Sequence, residues 1–242
     1  VVLDRIDFSL SNESEKNFSI EVDNYEGTNL YSLIEIDEGD NDEEEQITWV
    51  LHEFKFSSNG EGDAITWDFG DGTTASGSSV SHYFESSGIF LITATSISSD
   101  EIETNSIQVV VNRDSFAEVD NMECSCAPTG KDTVIDLVAL TGKQSIQGFV
   151  QVEHDGSSES CTLRNPLQEC HIRVILQRTE QGAIVSEEIL FDDTFRSNEK
   201  VVDFELPELE FSQGESIQLR LETDQLRDWH KPTAEWSVII PN

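Results

Sequence analysis

Basic side chains are scarce in this chain. Fourteen Lys and Arg stand against 49 Asp and Glu, a formal charge of −35. Such a surface repels phosphate backbones, which excludes nucleic acid as a partner and makes anionic membranes equally poor ones. Nowhere do 18 consecutive apolar residues occur, so no membrane-spanning helix is encoded here. No charged stretch followed by an apolar run marks a leader, so residue 1 reads as a mature or truncated start. Helical periodicity is missing too; Asp224 to His230 offers one or two turns at most. The motifs of common enzymes are lacking: there is no G-x-S-x-G and no G-x-x-x-x-G-K, and His52-Glu53 is followed by Phe54-Lys55-Phe56 rather than by a second histidine at zinc spacing. Carboxylates are so abundant that no acid–base pair stands out. The expectation is a non-catalytic protein.

Strand signals are plentiful. Ile6, Phe8 and Leu10 alternate with Asp7 and Ser9; after the polar stretch Asn12 to Lys16, Phe18, Ile20 and Val22 alternate again, a hairpin pattern. Further on, Val150 and Val152 alternate, then Ile172, Val174 and Leu176, then Val202, Phe204 and Leu206 before Pro207. Ile217, Leu219 and Leu221 follow, and Trp236, Val238 and Ile240 make a last strand. Many short strands at even spacing predict an all-β protein of sandwich or jelly-roll type.

One stretch is more specific. Trp67-Asp68-Phe69-Gly70-Asp71-Gly72-Thr73 is followed by His82-Tyr83-Phe84 and then by Gly88-Ile89-Phe90-Leu91-Ile92. It reads as strand, glycine-rich turn, connection and strand, with Asp71-Gly72 as the turn dipeptide. Residues 31–111 resemble the PKD domain, an immunoglobulin-like β-sandwich whose pattern is close to W-D-F-G-D-G-T, H-x-Y and G-x-Y-x-V. Phe84 and Phe90 stand where the family has tyrosine, so the hydroxyls and their hydrogen bonds are absent. The resemblance implies an extracellular module making protein or carbohydrate contacts, with His82 in a structural role.

Charge and cysteine place a boundary. Residues 1–112 carry 24 acids against 3 bases; residues 113–242 carry 25 against 11 and hold all four cysteines. With Ile107 to Val111 read as a last strand and Asn112-Arg113-Asp114-Ser115 as a polar connection, the division is 1–30, an N-terminal hairpin or strand; 31–112, the PKD-like sandwich; and 113–242, a jelly-roll-like sandwich with disulfides. The self-repulsion of −35 charges favours solubility and fits a saline or divalent-rich medium, such as a marine microbe or halophilic archaeon meets.

Cys124, Cys126, Cys161 and Cys170 form an even set, and an extracellular setting favours two disulfides. Bridging Cys124 to Cys126 would strain a small ring. Both face one side of an extended strand, so cross-pairing to Cys161 and Cys170 is the favoured of three connectivities. A zinc site including His171 is the rival, but its spacing is poor. The acidic run from Asp37 to Glu45 suggests calcium, with Asp37, Asp40, Asp42 and Glu43 as ligands, although the EF-hand glycine is missing. Asp68 and Asp71 are a weaker pair, better suited to bonding the backbone of their own turn. Asn12 and Asn17 begin N-glycosylation acceptors. Trp229, beside His230 and Lys231, is the tryptophan suited to sugar stacking, whereas Trp49 and His52 read as strand positions and Trp49 as core.

The function expected is a non-catalytic extracellular or cell-surface module for adhesion, surface-layer or filament assembly, or scaffolding. Its partners would be protein, including copies of itself, or extracellular carbohydrate. The alternative is the accessory region of a secreted hydrolase whose catalytic domain lies elsewhere. For a filament, the strand pattern of residues 1–10 suits completion of a neighbour's sheet.

Overall fold

The structure is a computed structural model and describes residues 18–37, 43–60, 62, 64–119, 132–153, 170–195, 199–222 and 230–241. Among the described residues there are strands and turns but no helix. The strands are β1 (Ile20–Val22), β2 (Glu26–Asp37), β3 (Glu43–Val50), β4 (Glu53–Ser58), β5 (Ala64–Asp68), β6 (Thr74–Ser76), β7 (Ser79–Tyr83), β8 (Gly88–Ile97) and β9 (Ile102–Glu118). They continue as β10 (Asp132–Asp136), β11 (Gly142–Glu153), β12 (Cys170–Glu180), β13 (Ala183–Phe195), β14 (Glu199–Phe211), β15 (Glu215–Glu222) and β16 (His230–Ile239).

The molecule is organised about β9. Its first half pairs antiparallel with β8, from Ile102 to Val111, and its second half with β16, from Arg113 to Glu118. On the opposite edge β2 runs parallel to it from Val110 to Glu118. Two sandwiches therefore share one strand. In the first, β6, β5, β8 and the start of β9 face the small sheet β1-β4-β7. In the second, β3, β2, the end of β9, β16, β11 and β14 form six strands opposite the four-stranded sheet β10-β15-β12-β13.

Each sandwich has its own core, and one face of β9 serves both. Val109 and Val111 pack with Phe54, Phe56, Trp67, Phe69, Phe84 and Ile92. Ala117 and Val119 pack with Ile135, Leu137, Val150, Val174, Leu219 and Trp236. The boundary expected at 112/113 thus falls inside a continuous strand, between two cores rather than in a linker. Tyr31 of β2 packs with the second core, not with the PKD-like part.

Arg113 occupies the junction and is buried. Its Nε donates to Ser115 Oγ (3.1 Å), and Nη2 donates to the carbonyls of Leu137 (3.0 Å) and Val138. Val138 has φ of 51°, a conformation held by its N–H bond to Asp136 Oδ1 at 2.7 Å. Trp236 Nε1 donates to the same Leu137 carbonyl at 2.9 Å. Burial pulls the guanidinium down to about 10 against the pull of Tyr31 and Asp136, so it stays charged at neutral pH.

Several sequence expectations change at this point. Trp49, read as core, is exposed, because it lies on β3, an edge strand paired with β2 alone. His52 lies in the connection between β3 and β4 rather than in a strand. β1 pairs with β4, and its expected hairpin partner, residues 6–10, lies outside the described residues. Pro207 does not end its strand. β14 continues to Phe211 through a register shift opposite Ser145, on the outer edge of the long sheet where a missing N–H is tolerated.

Candidate functional site

The W-D-F-G-D-G-T turn is a local structural unit. Trp67 is buried, with Nε1 donating to the Gly77 carbonyl at 2.8 Å. Asp68 accepts from the N–H of Gly70 (2.9 Å) and Asp71 from that of Thr73 (2.9 Å), so both carboxylates cap their own turn. Gly70 has φ of 75°, and a Cβ there would lie 2.8 Å from the Leu91 carbonyl oxygen, so no side chain fits. Asp71 Oδ2 lies 2.6 Å from His82 Nε2, and the His82 ring stacks on Phe69 at 4.0 Å. Phe84 and Phe90, at the two positions without hydroxyls, stack at 4.1 Å.

Burial raises the Asp71 carboxyl, but hydrogen bonds from Thr73 and His82 outweigh it and hold the group below the ordinary value of 3.8. A lowered folded value stabilises in full above pH 3.8, and that contribution is lost as pH falls from there through the folded value. Asp71→Asn is therefore expected to cost about 1 kcal/mol at neutral pH. The gap between variant and wild type should narrow at pH 3 in urea denaturation. A gap equal at both pH values would contradict the assignment.

The solvent face of the six-stranded sheet is the better candidate for binding. Strand alternation and register place two rows of side chains across it. The first row is Thr48, Ser32, Phe116, Glu235, Phe149 and Asp203; the second is Val50, Leu30, Asp114, Ser237, Gln147 and Glu205. A groove of about 650 Å³ runs over Asp114, Gln147, Phe149, Asp203, Glu205 and Glu235. A second, of about 380 Å³, lies over Leu30, Val50, Asp114 and Phe116. Gly148 lets β11 and β16 close up under the first groove, since a Cβ there would meet the Glu235 carbonyl oxygen at 2.2 Å. Ser237 Oγ donates to Asp114 Oδ1 at 2.6 Å and fixes that carboxylate. Four of the twelve positions are carboxylates and none is basic, so the face suits hydrogen-bond donors and repels anions.

None of the site residues singled out in the sequence is among these twelve positions. Asp37 and Glu43 are the last register pair of the β2–β3 hairpin; Asp40 and Asp42 lie outside the described residues, as do Asn12, Asn17, Cys124, Cys126, Cys161 and Trp229. Cys170 opens β12. Among the described residues no three His, Cys, Asp or Glu side chains are grouped to hold a metal. Trp236 is buried in the second core. Phe116 and Phe149 were not singled out, because each reads as one more apolar strand residue until the register places both outside.

The architecture defines a double β-sandwich module. Residues 35–112 match the family model of the PKD domain, which agrees with the resemblance carried by the Trp67–Thr73 motif; the rest of the chain matches no family model. No curated protein sequence matches. Among solved structures, the chain is similar to a carbohydrate-binding module of the β-sandwich superfamily at TM-score 0.30 and 10% identity, covering 91% of this chain and 95% of that one. It is similar to Bacteroides uniformis β-glucuronidase 2 at TM-score 0.28 and 8% identity, covering 92% of this chain but only 30% of the glucuronidase. A structure of infectious bursal disease virus, Gx strain, gives TM-score 0.31 and 10% identity over 78% of this chain and 50% of that one. Likeness at this level does not bear on ligand or activity.

Proposed function

We propose that this chain is a non-catalytic binding module of an extracellular or cell-surface protein, and that the solvent face of its six-stranded sheet takes up a neutral carbohydrate chain. The observation that carries the reading is the pair of rings, Phe116 and Phe149, set on either side of Glu235 in one row and bordered by Asp114, Asp203, Glu205 and Gln147. Rings offer flat apolar surfaces to pyranose faces, and carboxylates and amides accept or donate to sugar hydroxyls. The lack of basic side chains in the rows disfavours sulfated and uronate-rich chains. The PKD part acts as a rigid mount. The same face serves an adhesion or surface-layer protein and the accessory region of a secreted hydrolase; the full reading frame separates these.

Affinity electrophoresis through gels containing neutral or sulfated polysaccharides tests the reading. At least one neutral polysaccharide should retard the protein, and Phe116→Ala with Phe149→Ala should weaken retention by about tenfold or more, equivalent to roughly 1.4 kcal/mol. Retardation by none, with capture of a basic protein instead, overturns it.

An extracellular site also accords with the cysteines. We expect two disulfides, one from each of Cys124 and Cys126 to Cys161 and Cys170, and hence close to zero free thiols in denatured, unreduced protein. Two or more free thiols, or stoichiometric zinc, would remove this part of the proposal.

A further inference from the structure

On the solvent face of the six-stranded sheet, the two phenylalanine rings lie between polar margins. Phe116, Glu235 and Phe149 are register partners on β9, β16 and β11. Two residues along the strands on one side stand Asp114, Ser237, Gln147 and Glu205. Two residues along on the other side stand Glu118, Thr233 and Gln151. None of these ten positions is basic. The middle row continues to Asp203 on β14 at one end, and to Ser32 on β2 and Thr48 on β3 at the other. The rings thus form the floor of a track that crosses the strands.

The spacing of the rings limits what can rest on both. Phe116 and Phe149 are two strands apart, a separation of about 10 Å at roughly 4.7–4.9 Å per strand. An extended pyranose chain linked equatorially at both ends advances about half that distance per residue. Its first and third residues then meet the two rings, and its second lies over Glu235, which is exposed. An axial linkage coils the chain into a helix and lifts the third residue away from the second ring.

The margins and the twist of the sheet narrow the ligand further. A pyranose with equatorial substituents has two apolar faces of axial hydrogens and carries its hydroxyls around the rim. Laid flat on a ring, it points those hydroxyls sideways, toward carboxylate and amide partners on both margins. Neighbouring strands of a sheet are rotated by roughly 20–25°, so rings two strands apart are turned by about 40–50° relative to each other. A flat crystalline surface can touch only one such ring at a time. A single chain turns about its linkages and meets both.

Resting on the carbohydrate reading of this face, we infer that the ligand is a single soluble chain of neutral, equatorially linked pyranoses, of the β-1,4 type, lying across the strands. Every second residue stacks on a ring, Phe116 for one and Phe149 for the next but one. The middle row covers six strands, about 24 Å over five steps, so a chain of about five residues fills it. Helical α-linked glucans and the flat faces of crystalline fibres do not fit this arrangement.

Titration calorimetry of the full chain with ladders of cello- and xylo-oligosaccharides, and with malto-oligosaccharides as the α-linked control, tests this. For at least one β-1,4 ladder, affinity should step up by about tenfold between the disaccharide and the trisaccharide, the first length to reach both rings. It should level off near five residues. Phe116→Leu and Phe149→Leu keep apolar volume in the strand and remove one flat ring each. Either should abolish the step while weakening the disaccharide by no more than about twofold, the statistical loss of one of two sites. Malto-oligosaccharides binding as tightly as the β-1,4 ladders, or a step that survives both substitutions, overturns the inference and leaves the carbohydrate reading standing. Depletion of the protein by microcrystalline cellulose to the extent that soluble hydroxyethyl cellulose binds it overturns the single-chain ligand. Binding of neither β-1,4 ladder overturns the inference as well; the carbohydrate reading itself falls only if no neutral polysaccharide retards the protein in the gels.

Discussion

Replacing Arg113 with alanine is expected to lower stability by about 3–5 kcal/mol, from lost charged hydrogen bonds and a cavity together. The side chain is buried where the two cores meet and donates to Ser115 Oγ and to the carbonyls of Leu137 and Val138. Alanine leaves the Val138 carbonyl without this donor and opens a void beside Trp236. The loss should appear as a fall in melting temperature of roughly 6–20 °C for a chain of this size. Arg113→Met separates the two contributions, because it keeps most of the volume and removes the donors; it should fall between alanine and wild type. An unchanged melting temperature in Arg113→Ala would mean that the junction is not a packed, hydrogen-bonded element.

Trp67→Ala should cost about as much, roughly 3–5 kcal/mol. Trp67 is buried in the first core against Phe56 at 5.8 Å, and its Nε1 bond to the Gly77 carbonyl ties β5 to the bend after β6. Truncation removes the largest side chain of that core and leaves the carbonyl unpaired. A thermal melt that shows no loss would contradict the packing of the PKD part.

What was legible in the sequence is what depends on neighbours close along the chain. The Trp67–Thr73 turn was readable because Gly70, Asp71 and Gly72 are demanded by local backbone geometry and by carboxylates bonding to amides two residues on. Alternating strands were readable for the same reason; Ile217, Leu219 and Leu221 point inward as their period requires. The junction was not. Asn112-Arg113-Asp114-Ser115 looks like a polar connection, and Arg113 is buried only because carbonyls 24 and 25 residues away are turned toward it. Exposure of Trp49 was equally hidden, since it depends on β3 being the edge of its sheet, which only the strand pairing settles. The proposed binding face needs the register of six strands between residues 26 and 239 before Phe116 and Phe149 come together. No local pattern distinguishes those rings from core phenylalanines.

β9 is one strand shared by two cores, and the proposed role of the PKD part as a fixed mount for the six-stranded face depends on it. Differential scanning calorimetry of the full chain tests this directly. A shared strand with a buried arginine at its midpoint predicts one transition, with calorimetric and van't Hoff enthalpies in agreement. Two separable transitions, one abolished by Trp67→Ala and the other left in place, would show two independent domains and contradict the account.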